Sequence, residues 1–303
     1  MPDDRVMNKL LAILVAAVVL LTGCADGRTR SDEFPVGTSS HEISVGGLSR
    51  NYLVTVPVGL RARSPLVVMM HGGFGSASQA RKSYGWDELA VTENLVVAYP
   101  DGLGRAWNAG GGCCGKSGED EVDDVAFIEA MVGEIRAGLR IDDRRIYATG
   151  MSNGAMMSYR LACDTDTFAA IAAVAGTILG ACEHPAPISV IAIHGEADDS
   201  VHMDGSAGNG AERIDGMPVL EVSALWREVD GCDAPTVTVE AAVTTSTTVC
   251  RDRRGVQLVT IAGAGHQWPG SARTAAQQRI GADEPYPDLD ATAVIWAFFE
   301  AHP

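Results

Sequence analysis

From residue 41 onward, short apolar runs alternate with longer amphipathic ones. His41–Val45 and Asn51–Val56, separated by Gly46-Gly47, read as a β-hairpin. Leu66–Met70, Leu95–Tyr99, Arg145–Thr149, Ala170–Ala175, Ile188–Ile193 and Val256–Ile261 are short, mostly apolar runs. Runs of that length read as strands buried on both faces. Val122–Leu139, Gly154–Ala162, Val219–Val229 and Ala291–Ala301 carry apolar residues at helical spacing. Strands alternating with helices predict an α/β fold: a mostly parallel sheet with helices on both faces and an antiparallel hairpin at its edge. In such folds the reactive groups collect at the carboxyl ends of the strands.

The first residues follow another pattern. Arg5 and Lys9 precede an apolar run from Leu10 to Leu21, too short to span a bilayer but suited to the hydrophobic region of an export signal. The run ends in Leu21-Thr22-Gly23-Cys24, which resembles the lipobox of bacterial lipoproteins. That resemblance implies a signal over residues 1–23, a lipid on Cys24, and a protein anchored to the outer face of the cell membrane without spanning it. Release into the medium is a further expectation. Residues 24–40 are polar and read as a tether, leaving 41–303 as the catalytic domain.

The formal net charge is −16, and removing residues 1–23 deletes two bases and two acids, leaving it unchanged. Such a surface repels phosphate backbones, so nucleic acid is not an expected partner. Of seven cysteines, six remain once Cys24 is set aside, an even number suited to an oxidising compartment. Cys163–Cys182 and Cys232–Cys250 would each close a short loop. The adjacent Cys113 and Cys114 either pair with each other or stay partly free. No spacing of Cys and His suggests a metal site, and no cofactor is expected.

The chemistry centres on Gly150-Met151-Ser152-Asn153-Gly154, between a strand run and a helix run. Gly at both flanks lets strand and helix approach closely around a sharp turn, exposing Ser152 at a helix N-terminus that favours developing negative charge. The base candidate is His266, in the loop after the last strand run. The carboxylate candidate is Asp198, beyond Ile188–Ile193, with Asp199 and Glu196 behind it. Each of the three stands just past a strand, in the order Ser, Asp, His. His71 and His194 also follow strands, but the order fits them to structural hydrogen bonds with loop backbone. For an oxyanion the candidate donors are the N–H groups of Asn153 and Gly73, the latter within His71-Gly72-Gly73-Phe74-Gly75. Trp107 and Trp268 are the candidate walls of a substrate pocket. Asp123-Asp124 reads as a helix cap.

Together with Tyr99-Pro100-Asp101-Gly102, Trp107-Asn108-Ala109-Gly110, Cys113-Cys114-Gly115, Val122-Asp123-Asp124-Val125, His194-Gly195-Glu196-Ala197-Asp198 and Gly265-His266-Gln267-Trp268-Pro269-Gly270, these motifs resemble the polyhydroxybutyrate depolymerase and feruloyl esterase group of α/β-hydrolases. The resemblance spans roughly residues 41–302. It implies an α/β-hydrolase fold and a serine carboxylic-ester hydrolase. The expected substrates are polyhydroxybutyrate-type polyesters or feruloyl and acetyl polysaccharide esters, cleaved without a cofactor. It also supports Ser152, Asp198 and His266 as a triad. Acyl transfer to a cell-envelope sugar and non-catalytic binding are the alternatives. One segment, His202–Pro218, is longer and less regular than the family pattern and is expected to shape the substrate cleft.

Overall fold

The computed structural model describes residues 33–210, 212–273 and 282–303. The signal-like run and Cys24 lie outside the described residues. The strands are β1 (Gly37–Val45), β2 (Leu48–Val56), β3 (Ser64–Met70), β4 (Val96–Pro100), β5 (Ile141–Met151), β6 (Ala170–Val174), β7 (Ser189–Gly195), β8 (Thr236–Glu240), β9 (Val243–Val249) and β10 (Gly255–Ile261). The helices are α1 (Ala77–Ser83), α2 (Trp86–Glu93), α3 (Gly115–Glu119), α4 (Asp124–Gly138), α5 (Asn153–Asp164), α6 (Val219–Val229) and α7 (Ala291–Ala301).

All ten strands form one sheet in the order β1-β2-β4-β3-β5-β6-β7-β10-β9-β8. The strands from β4 through β10 in that order run parallel. An antiparallel hairpin closes each side, β1–β2 against β4 and β9–β8 against β10. This is the mixed sheet expected from the pattern, with a second hairpin added. Thr236–Val249 carries no buried apolar run that would mark it as strand: Thr236–Glu240 is exposed throughout and Val243–Val249 is mostly half-buried. β-branching rather than burial favours extended backbone there. At the other edge β1 begins at Gly37, within the segment read as tether, and the Phe34 ring is buried 4.6 Å from His41. Thr38–Ser40 offer little apolar signal, so backbone pairing with Leu53–Thr55 defines them.

The period of two along each strand divides the core. On β3, Leu66, Val68 and Met70 face α4 and α5 with Phe127, Ile128 and Met157. Val67 and Met69 face the opposite layer with Trp86, Tyr147, Trp296 and Phe299. Because both faces are covered, β3 is buried along its whole length. Cys163–Cys182 and Cys232–Cys250 are disulfide-bonded, as their spacing suggested, and Cys113 pairs with Cys114. Each of the two longer bridges closes a loop of under twenty residues, a constraint worth about 3 kcal/mol by loop entropy.

Asp123 caps α4 by accepting the Ala126 N–H at 2.8 Å. Asp124 does more than cap. Its carboxylate, 1% exposed, takes Arg50 Nη2 at 2.5 Å, the Ser117 hydroxyl at 2.7 Å and the Asn108 N–H at 2.7 Å. Arg50 also lies 3.9 Å over the Phe127 ring. This buried pair ties β2 and α4 to the loop running from Trp107 to α3. Replacing Asp124 with Ala strands a buried guanidinium, so thermal or urea unfolding of Asp124→Ala is expected to show a loss of about 3–5 kcal/mol. A loss under 1 kcal/mol would mean that the pair does not organise this loop.

Candidate active site

Ser152 sits between β5 and α5 at φ 55°, ψ −121°, a conformation that side chains seldom adopt. Its N–H donates to Val174 O at 2.8 Å, pinning the turn to β6. Two glycines make the turn possible. A Cβ on Gly150 would lie 2.4 Å from Gly154 backbone, and one on Gly154 would lie 2.4 Å from Met70 O. Any side chain at either position would push α5 away from β5 and β3.

His266 stands in the loop after β10, and its Nδ1 lies 2.8 Å from Asp198 Oδ2. A carboxylate only accepts, so Nδ1 carries the proton and Nε2 keeps its lone pair. Asp198 is buried at the end of β7, and its Oδ1 accepts the N–H groups of Ser200 at 2.9 Å and Val201 at 2.8 Å. Burial alone would raise this carboxyl. The hydrogen bond from His266, the attraction of the His266 and His194 rings and the Val201 N–H outweigh it, so Asp198 lies below the usual carboxylate range. The neighbouring acids are otherwise engaged. Glu196 accepts the Thr260 hydroxyl at 2.9 Å, and Asp199 accepts from Asn209 at 2.9 Å.

His71 and His194 have the structural contacts the sequence suggested. His71 Nδ1 donates to Gly72 O at 2.8 Å and its Nε2 accepts from Gly102 N–H at 3.0 Å. His194 Nε2 donates to Val201 O at 2.8 Å, with Asp198 Oδ2 3.6 Å away. Burial lowers the pKa of both rings despite nearby acids, which keeps them neutral.

Ser152 and His266 line one cavity of about 410 Å³, within the range of small-molecule sites. Gly72, Gly73, Phe74, Met151, Trp268 and Pro285 supply much of its wall. No hydrogen bond joins Ser152 to His266 among the described residues; such contacts often close only around substrate. Asn153 begins α5, and its side chain grips the backbone of Trp107, accepting from its N–H at 2.7 Å and donating to its carbonyl at 3.0 Å. Trp268 lines the cavity, stacks on Tyr84 at 4.6 Å and donates its indole N–H to Thr292 at 3.1 Å.

Two expectations are corrected. Trp107 is fully buried and does not line the cavity; its indole N–H donates to His71 O at 2.8 Å, making it a strut beneath the glycine loop. The described part of His202–Pro218 does not line the cavity either. It packs behind the Asp198 turn, where Asn209 N–H donates to Asp199 O at 2.7 Å and a Cβ on Gly208 would lie 2.1 Å from Ser200 O. Arg105, Tyr84 and Asp283 are cavity residues that sequence reasoning missed. Asp283 accepts the His266 N–H at 2.6 Å. No local motif announces it, because it reaches the His266 loop only through the fold. Among the described residues no group of three or more His, Cys, Asp or Glu is placed to hold a metal ion.

Comparison with known proteins agrees with this architecture. Feruloyl esterase B of Piromyces equi is 29% identical over 72% of this chain and 42% of its own length. Feruloyl esterase D of Neurospora crassa is 28% identical over 64% of this chain and 69% of that one. The solved acetyl xylan esterase of Aspergillus awamori superposes with a TM-score of 0.58 at 17% identity, over 80% of this chain and 98% of that one, a likeness of fold. Residues 50–247, about two thirds of the sequence and including the Ser152 turn and the Asp198 turn, match the model of the esterase PHB depolymerase family, and the chain belongs to that family.

Proposed function

We propose that this protein is a serine carboxylic-ester hydrolase that works through an acyl-enzyme on Ser152. The observation that carries the reading is the Asp198–His266 contact at 2.8 Å beside the cavity that Ser152 and His266 share. In this reading His266 Nε2 removes the Ser152 hydroxyl proton as Oγ attacks the ester carbonyl carbon. The N–H groups of Asn153 and Gly73 receive the oxyanion. Gly73 N–H makes no hydrogen bond among the described residues, whereas the N–H groups of Phe74 and Gly75 are taken by Arg105 O and Gly72 O. Collapse of the tetrahedral intermediate breaks the ester C–O bond, and His266 returns its proton to the leaving alcohol. Water, deprotonated by the same imidazole, then attacks the acyl carbonyl and releases the acid and Ser152.

For substrate we favour acyl esters of hydroxylated polymers, of the feruloyl or acetyl type, over polyhydroxybutyrate. Several of the sequence relatives carry feruloyl esterase names, and the apolar walls of Phe74, Met151, Trp268 and Pro285 suit a planar or short acyl group. The three disulfides fit an oxidising compartment. This supports export, with residues 1–23 as signal and Cys24 as the lipid anchor.

A fluorophosphonate is expected to leave a single adduct on Ser152. Ser152→Ala should lose the adduct and cut p-nitrophenyl ester turnover by about 10⁴-fold or more. Undiminished turnover in that variant overturns the nucleophile. Asp198→Asn preserves shape but favours the wrong tautomer of His266, so kcat is expected to fall by about 10⁴-fold, with KM little changed. A fall below tenfold would assign the carboxylate role elsewhere. In bacterial fractions the wild type is expected with membranes and Cys24→Ala in the soluble fraction; equal partitioning of both would remove the anchor.

A further inference from the structure

The glycine loop after β3 is held by a residue outside it. Gly72, Gly73 and Gly75 give this loop wide backbone freedom, and Phe74 sits at φ 61°, where a side chain is strained. A donor useful to an oxyanion has to be fixed before the reaction, because its value lies in needing no reorganisation. Within the loop there is one fixing contact of backbone to backbone, Gly75 N–H to Gly72 O at 2.9 Å. Arg105 supplies three more. Its carbonyl accepts the Phe74 N–H at 2.8 Å, its Nε donates to Gly75 O at 3.1 Å, and its Nη2 donates to Phe74 O.

Arg105 is itself anchored. Its N–H donates to Gly102 O at 3.0 Å, and Gly102 N–H is held by His71. Two residues on, the Trp107 backbone is gripped by Asn153, the first residue of α5. The guanidinium therefore joins the glycine loop to the segment that Asn153 grips at Trp107, so the two proposed donors are linked through Arg105 and Trp107. A planar fork that meets two successive carbonyls is geometry that Arg provides and Lys does not. With Phe74 and Gly75 engaged through both N–H and C=O, Gly73 N–H is the donor left at the cavity within Gly73–Gly75.

We propose that Arg105 is a positioning residue for the oxyanion hole: it clamps the carbonyls of Phe74 and Gly75 and so fixes the Gly73 N–H. The proposal rests on the reading of Ser152 as nucleophile and Gly73 as donor. Its test compares p-nitrophenyl acetate with the matching thionoester, whose sulfur accepts hydrogen bonds poorly, on wild type, Arg105→Ala, Arg105→Met and Arg105→Lys. Arg105→Met keeps most of the stem packing and guards against a folding failure of the alanine variant. Wild type is expected to favour the oxygen ester strongly. In Arg105→Ala and Arg105→Met, kcat for the oxygen ester should fall by about 30-fold, below the 10²–10³ cost of deleting a donor outright, with KM within about threefold. The oxygen preference should shrink in step, and Arg105→Lys should recover part of both. If kcat in both variants stays within about twofold of wild type, or the loss is all in KM with the oxygen preference intact, the clamp is refuted. A wild type that does not favour oxygen refutes the oxyanion reading itself, and the clamp with it.

Discussion

The close approach of α5 to β5 and β3 is the constraint on which the site depends. Ser152 reaches the cavity because the chain reverses from strand to helix within two residues. That reversal is possible because Gly150 and Gly154 leave room for backbone against backbone. Gly154 would strike Met70 O with any side chain, so the same contact that shapes the serine turn sets the end of β3. The glycine loop starts at that point. The Ser152 turn and the glycine loop are thus referenced to each other through backbone contact, without intervening flexible side chains.

From this contact a polar scaffold spreads outward. Asn153 uses its amide as a short strand edge, pairing with both backbone groups of Trp107. Trp107 supports His71 O, and His71 in turn bridges Gly72 O and Gly102 N–H. Further along the same loop, Asn108 N–H ends on Asp124, whose charge Arg50 balances. Each neutral link is worth on the order of 1 kcal/mol, and the buried charged one more if broken. These links are satisfied in the interior, so they specify a single arrangement of the loops around the cavity.

The parts of this arrangement that repeat a local rule were legible in the sequence. Strand runs such as Leu66–Met70 and helices such as Val219–Val229 carry their own periodicity, and the Gly-x-Ser-x-Gly turn has steric requirements that few other residues meet. The disulfides Cys163–Cys182 and Cys232–Cys250 were legible because short loops limit partners. What stayed hidden had no local signature. Trp107 looked like a pocket wall because an aromatic beside a Gly-rich loop is ambiguous until its N–H partner is known. Thr236–Val249 lacks the burial that makes strands visible. Arg105 and Asp283 act on backbone atoms of other segments, so their side-chain types reveal nothing about the contacts they make.

The distribution of charge around His266 follows from burial as much as from sequence. Three imidazoles, His71, His194 and His266, stand at or past the ends of strands, yet they are not equivalent. His71 and His194 are sealed inside, and the cost of desolvating a cation holds both neutral despite Asp101 and Asp198 nearby. Both ring nitrogens of His71 and Nε2 of His194 are also committed to loop backbone, and neither ring lines the cavity. His266 differs in being partly open and in spending one nitrogen on Asp198. Asp198 is held below the usual carboxylate range by that bond and by a backbone N–H, although burial alone would raise it. The consequence is a cavity in which one imidazole can take a proton, with a fixed negative charge behind it to stabilise the product. What separates His266 from its two neighbours is therefore burial, set by how deeply the sheet and its covering loops enclose each ring.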